Sequence, residues 1–456
     1  MFSHLHTRHF KAFEELSLEI RPITIFLGPN NSGKSSILAA FRLLSQTVKS
    51  YDPQVSLLLN GEQGDFGTYK DVVHENNKAR QFSLDFTITL EEGFTRPSQF
   101  ALSAGTRIQM ELTYMYRKLR REVILRNTAL SVGDKSVLTT KHSAETGRQT
   151  IESVGGADLP SALKSSISSN LRMRNFVPDH LFFGSRYGTR EPIVGFDSQF
   201  LERSSRLISR AGFSLVRHFT GIEYVGAMRQ PPSRTYSYTG ENRTSVGSSG
   251  QHAASILVMD SGRSGSKSKQ ILHEVRGWLK QASIASDIKI DTISDRHFEI
   301  RIQHPETLEF QNYADVGYGN SQVIPILVAG YNLSPGAVLM VEEPEIHLHP
   351  RAQSELGDFF LAMYKRNIQS LVETHSEHLV LRMQQHVVEG FVSPKDLIFY
   401  YVHAEKGNKV VVPLTLDTAG RFEGEWPRGF FRERLHEATR LAKLRQNVVG
   451  RDTSSN

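Results

Sequence analysis

The sequence predicts an α/β fold: a buried parallel sheet, flanked by helices, that presents a phosphate-binding loop. Three observations predict it. "ITIFLGPNNSGKSSILAAFRLL" joins an apolar strand to a helix through a glycine-rich turn. From Asp315 onward, apolar strands alternate with helices, the pattern of a sheet covered on both faces. One of those strands, "AVLMVEEPE", ends on paired glutamates.

The elements follow in chain order. The N-terminal stretch through "HFKAFEELSLEI" alternates as strands. The helix after the glycine-rich turn places Ile37, Leu38, Phe41 and Leu44 on one face. "QFSLDFTITL", "TRIQMELTYMYR" and "REVILRNTALSV" alternate with period two and read as antiparallel strands. Residues 155 to 220 read as irregular helix without sustained heptads. Pro231 to Gln251 and Asp260 to Gln270 are Gly/Ser-rich and read as loops. "QILHEVRGWLKQA" is an amphipathic helix with Ile271, Leu272, Val275, Trp278 and Leu279 on its apolar side. "HFEIRIQ" reads as a strand. Then come a helix ("NSQVIPILVAGYN"), a strand ("AVLMVEE"), a helix ("RAQSELGDFFLAMYKR") and a strand ("IQSLVETHS"). This divides the chain into an N-terminal lobe (1–150), an inserted helical and loop region (151–270) and a C-terminal lobe (271–456).

Composition narrows the chemistry. The 456 residues are 39% hydrophobic and 22% charged, ordinary for a globular chain. Cysteine is absent, which excludes disulfides, thiolate zinc and thiol catalysis. No apolar run approaches the ~18 residues of a membrane span. The first residues lack the apolar stretch of a secretory signal. A cytoplasmic location without membrane association is expected. The net charge of +6 and a pI near 9.3 leave DNA open as a partner. The basic clusters, Tyr116 to Arg126 and Arg428 to Arg445, read first as solvated faces of a strand and a helix.

"GPNNSGKSS" carries the chemistry. Gly28, four residues, then Gly33, Lys34 and Ser35 form the G-x-x-x-x-G-K-[ST] phosphate loop. Glycines let the backbone turn tightly and aim N–H groups at phosphate oxygens. Asn30, Asn31, Ser32 and Ser36 complete the expected cradle. Lys34 is placed for the β- and γ-phosphates of ATP, and Ser35 for Mg2+. The helix behind the loop adds the positive end of its dipole.

Such a site needs an acid at the end of a neighbouring strand. Glu342 and Glu343 end "AVLMVEE", and Glu343 lies 309 positions after Lys34. So large an insertion points to the ATP-binding-cassette class, and within it to the SMC, RecF and OLD-like heads. His375, 32 positions after Glu343 in "VETHSEH", sits where these ATPases keep a switch histidine. "DVGYGNSQVIPIL" lies where they keep the signature motif.

The chain also resembles a bacterial group of OLD-like AAA-type ATPases. The resemblance rests on "GDFGTYKDVVH", "YVGAMRQPPSRTY", "VGYGNSQVIPILV", "VEEPEIHLHPRAQSELGDFF", "VETHSEHLVLR" and "EWPRGFFRERL". Members resemble the ATPase subunit of Septu-type anti-phage systems (PtuA-like), which works with a separate HNH nuclease. The resemblance implies an ABC-type head that forms an ATP-sandwich homodimer or higher oligomer. It implies Glu342 as an outer magnesium group, Glu343 as the base that orients water and His375 as the γ-phosphate sensor. It implies that Pro344 to Pro350 cross to a second subunit. The signature departs from Leu-Ser-Gly-Gly: Val316, Gly317, Tyr318 and Gly319 stand there. Gly317 and Gly319 remain candidate nucleotide contacts, and Ser321 or backbone N–H groups could replace the missing serine. Gln63 is the candidate for the glutamine of the magnesium shell, against a plain surface-loop reading. No Toprim nuclease domain is expected in the residues after His375.

Three other readings stay in view. One is a RecF- or SMC-like DNA repair ATPase that binds DNA directly. Another is a metallohydrolase using His347, His349, His375 and His378, which leaves the phosphate loop unexplained. The third is a transporter motor, disfavoured by the large insertion.

Overall fold

The computed structural model describes residues 1–91, 102–142, 149–159, 164, 168, 170–181, 198–263, 265 and 270–423. Its centre is a six-stranded sheet in the spatial order Ile222–Val225, Val338–Glu342, Gln369–Glu373, Ile23–Leu27, Leu397–Glu405, Asn408–Leu414. The first five strands run parallel and the last is antiparallel. Parallel strands buried on both faces read as continuous apolar runs, as "ITIFL" and "VLMV" do.

Successive residues along these strands serve opposite faces. Phe26, Val338, Met340, Leu371, Ile398, Tyr400 and Val402 belong to one core. Ile23, Ile25, Leu27, Leu339, Val341, Val372, Leu397, Phe399 and Tyr401 belong to the other. The first core holds the helix Lys34–Val48 and an eight-stranded antiparallel sheet. That sheet contains Phe2–Phe10, Phe13–Glu19, Phe82–Thr89, Arg107–Arg117, Glu122–Val132, Lys135–His142 and Gln149–Val154. The second core holds the helices Ile271–Gln281, Tyr318–Asn332, Pro350–Lys365 and Glu377–Val388. This is the mixed and parallel sheet with flanking helices expected of an ABC-type phosphate-loop head.

The middle of the chain differs from its helical expectation. Leu171–Arg174 and Val177–Leu181 form an antiparallel hairpin around Asn175, which adopts φ 55°. Among the described residues of this segment, Ser198–Thr220 is the long helix. Gln149–Val154 spans the expected boundary at 150. Ile222–Val225, inside the expected insertion, forms an edge strand of the central sheet. Its apolar residues are buried because the acidic strand beside it needs a partner on that side. The basic segment Arg428 to Arg445 and the "EWPRGFFRERL" stretch lie outside the described residues.

Candidate nucleotide site

The loop Gly28–Gly33 sits at the carboxyl end of the strand Ile23–Leu27, where open parallel sheets bind ligands. Gly28 adopts φ 141°, and a Cβ there would meet the Val402 carbonyl oxygen at 2.0 Å. Asn31 is left-handed (φ 62°) and Gly33 is at φ 110°. The helix Lys34–Val48 begins with no side-chain cap, and of its first three N–H groups only that of Ser36 donates to a backbone carbonyl, that of Gly33. Ser32 is 3% exposed, and its hydroxyl is buried with no hydrogen-bond partner among the described residues. These features suit an anionic ligand.

Lys34 is buried. Its Nζ donates to the carbonyls of Gly28 (2.9 Å) and Pro29 (3.1 Å) and lies 3.0 Å from His375 Nε2. Burial lowers its pKa, opposed by the charges of Glu373 and Glu343. The same His375 Nε2 lies 3.0 Å from Glu343 Oε1. One ring nitrogen cannot serve both at once. Unprotonated it accepts from Lys34; protonated it donates to Glu343. Burial raises the Glu343 carboxyl, but the hydrogen bond and charge of His375 outweigh it, and the net shift is downward. Three residues predicted from distant parts of the sequence are thus joined through His375.

Glu343 itself is held in a left-handed conformation (φ 45°), which costs a β-carbon residue on the order of 1–3 kcal/mol. Its N–H donates to the Glu373 carbonyl at 2.7 Å. Arg229 Nη2 donates to the carbonyls of Glu342 (2.6 Å) and Glu343 (2.9 Å). Arg229 is 4% exposed, and burial lowers its pKa to about 10. Glu345 is buried too, accepts the His375 N–H, and is pushed up to about 7 by burial and then by the Glu343 charge.

Glu342 faces elsewhere. Its Oε1 pairs with Arg42 Nη1 at 3.1 Å. The Arg42 guanidinium stacks over the Tyr224 ring, 3.8 Å from its centroid. Ser35 Oγ instead donates to Glu373 Oε1 at 3.1 Å, and Lys34 Nζ is 3.7 Å from the same oxygen. Glu373 Oε2 is buried with no hydrogen-bond partner among the described residues. Burial and then the Glu342 charge raise this carboxyl to about 7. A hydroxyl and a carboxylate with a spare oxygen suit a hard cation such as Mg2+. Among the described residues no group of three or more His, Asp or Glu could hold a metal, so phosphate oxygens would have to complete the shell.

The other predicted residues are placed as follows. Asn30 is exposed, and Ser36 donates its N–H to the Gly33 carbonyl within the first helical turn. Gly317 starts the helix Tyr318–Asn332 without a side-chain cap and is exposed. A Cβ on Gly319 would meet the His347 carbonyl oxygen at 2.0 Å, so the signature helix packs directly on the loop after Glu343. The Ser321 side chain lies outside the described residues. His349 caps the helix Pro350–Lys365, accepting from the Arg351 N–H. Gln63 is neither at the phosphate loop nor on the surface. It is 7% exposed, with its amide beside Ser45 Oγ (3.0 Å), ten residues and roughly 15 Å along the helix from Ser35.

Sequence reasoning missed Glu373, Glu345, Arg42 and Arg229. Glu373 left a signal: a carboxylate ending an apolar strand immediately before Thr374 and His375. Arg42 left none, being one charge in an apolar helical run.

Sequence models of three families match separate segments. An AAA ATPase domain matches residues 1–153. An AAA domain described as "putative AbiEii toxin, Type IV TA system" matches 194–382, and a family of unknown function (DUF3696) matches 392–441. No curated protein matches. Among solved structures, an SMC head bound to the C-winged helix domain of ScpA is 11% identical at a TM-score of 0.45, covering 92% of this chain and 99% of its own. The SMC head domain from Thermotoga maritima is 12% identical at 0.36, covering 90% and 98%. An Smc head with an extended coiled coil, bound to the C-terminal domain of ScpA derived from Pyrococcus furiosus, is 10% identical at 0.39, covering 91% and 96%. Two AAA-type ATPase domain matches therefore contain the phosphate loop and the acidic strand respectively, with residues 154–193 between them.

Proposed function

We propose that the chain binds ATP with Mg2+ at the Lys34 loop, hydrolyses it, and dimerises around it as the regulatory subunit of an anti-phage complex that controls a separate nuclease of HNH type. The observation that carries the chemistry is the contact chain Lys34–His375–Glu343, two links of 3.0 Å. Lys34 and the free N–H groups of its helix neutralise the β- and γ-phosphates. Ser35 and a strand-end carboxylate would hold Mg2+, which would supply further positive charge where negative charge develops. Glu343, ionised at neutral pH, accepts a hydrogen bond from water and then its proton. The water oxygen bonds to the γ-phosphorus as the bond to the bridging oxygen breaks, giving ADP and phosphate. His375 is placed to sense the γ-phosphate because its Nε2 lies within 3.0 Å of both the phosphate-binding Lys34 and the base Glu343.

Dimerisation is supported by the exposed Gly317 helix end, whose first N–H groups have no side-chain cap and could receive a partner's phosphate. The defence role is supported by the motif resemblance and by the toxin–antitoxin description of the family matched at 194–382. The runner-up is a RecF/SMC-like DNA ATPase. Its support is the basic charge, including the exposed turn Lys118 to Arg121. Among the described residues no helix is long and apolar enough to cross a membrane.

Two variants test the chemistry. Lys34→Ala should abolish ATP binding by fluorescent-nucleotide titration; retained affinity overturns the site. Glu343→Gln should bind ATP but hydrolyse it at least ~100-fold more slowly. A wild-type rate removes Glu343 from the role of base. Co-purification with the products of neighbouring genes separates the two biological readings. Capture of an HNH nuclease supports the first, and ATPase stimulated by DNA with a steep salt dependence supports the second.

A further inference from the structure

The expected magnesium carboxylate, Glu342, and its neighbour Glu373 end adjacent parallel strands as register partners. Two carboxylates at the ends of strands about 4.8 Å apart repel unless each has its own cation. Glu342 has one inside the protein. Arg42 Nη1 stands 3.1 Å away, and that guanidinium is fixed by stacking on Tyr224 and Phe66 and by donating to the Gln63 carbonyl at 3.0 Å. Among the described residues Glu373 has only the Lys34 ammonium, a longer 3.7 Å from its Oε1, and that ammonium is the group the reading above assigns to the phosphates. Glu373 lies on the strand directly beside the loop strand, with Phe26 as its register partner. Its side chain is 8% exposed. One oxygen takes the Ser35 hydroxyl proton, and the other is buried without a partner.

We propose that Glu373, not Glu342, is the metal-side carboxylate of this nucleotide site, and that Arg42 has taken Glu342 out of that role. The proposal rests on the ATP–Mg2+ reading above. A serine hydroxyl has one hydrogen and two lone pairs. With the hydrogen given to Glu373 Oε1, that bond leaves both lone pairs of Ser35 available to a cation. Oε2 is left to accept from a water of the cation or to meet it directly. Glu342 acts as the counter-charge that orients Arg42 beneath the end of the acidic strand.

The test uses the full chain and a non-hydrolysable ATP analogue, with Mn2+ as the probe read by electron paramagnetic resonance. Glu373→Gln should lower Mn2+ affinity of the nucleotide-loaded protein by about tenfold or more. Nucleotide affinity measured in chelator should change by less than about threefold, because Glu373 has no N–H or cationic group to offer phosphate. Glu342→Gln should leave Mn2+ affinity within about threefold of wild type. Should Glu373→Gln fail to fold by circular dichroism, Glu373→Asp takes its place. One methylene shorter, it should lose metal affinity in the same direction. Metal loss that follows Glu342 and spares Glu373 overturns this proposal while leaving the ATP reading intact. A wild-type chain that binds no nucleotide, with or without metal, overturns both.

Discussion

At the scale of single residues, the site is a set of carboxylates whose charges are decided by what surrounds them. Glu345 is the clearest case. Its carboxyl titrates at about 7 rather than the usual 4.5, through burial first and the Glu343 charge second. A carboxyl raised in the folded state adds stability that is complete below its unfolded value, near 4.5, and is lost as pH climbs through 7. At pH 8 the penalty is on the order of 3 kcal/mol, from ~1.4 kcal/mol per pKa unit. Glu345→Gln keeps an acceptor for the His375 N–H and removes the charge. Its melting temperature should exceed wild type at pH 8, with the gap closing as pH falls towards 5. A gap that ignores pH would show that Glu345 carries no buried charge. None of this was visible in "EEPEIHLHP", where Glu345 looks like any loop glutamate. Its burial comes from the turn that Arg229 holds, and Arg229 is more than a hundred positions away.

At the scale of elements, the phosphate loop was legible because everything it needs is local: strand, glycines, lysine and helix within about twenty residues. Partnerships between strands were not. The acidic strand, the Glu373 strand and the loop strand are neighbours in space in an order that the chain does not follow, so the sequence offered Glu342 to Ser35 where the sheet offers Glu373. The hairpin at 171–181 was missed for a related reason: its alternation is short and mostly polar, and its turn depends on Asn175 tolerating a positive φ. The helix Lys34–Val48 is also joined to the acidic strand through Arg42. Arg42→Ala removes that pair and leaves Glu342 without a counter-charge at 13% exposure. Urea unfolding should show a loss of roughly 2–4 kcal/mol, which Arg42→Lys does not restore, because an ammonium cannot stack flat on Tyr224 while pairing with Glu342. Full rescue by lysine would mean that only charge matters there.

At the scale of the whole molecule, the sequence conveyed the alternation of helices and strands well between residues 318 and 376 and poorly between 150 and 225. That middle segment supplies an edge strand to the central sheet, a role fixed by a neighbour more than a hundred positions later. The proposed assembly has a direct readout. Glu343→Gln with ATP should run at twice the monomer mass by light scattering, and adding Lys34→Ala should return it to monomer mass. A constant mass across both would place any oligomer outside nucleotide control.

The strict division of the central strands between two cores has one more consequence. Every apolar residue of "ITIFL" and "VLMV" is committed to one side, so the sheet has no slack with which to absorb a neighbour that drifts in shape. Variation is channelled outward. The antiparallel sheet and the segments around it can be remodelled for new partners over evolutionary time, while the plate that carries the nucleotide loop is nearly frozen. Related chains should therefore differ most in what they listen to and least in how they hold the nucleotide.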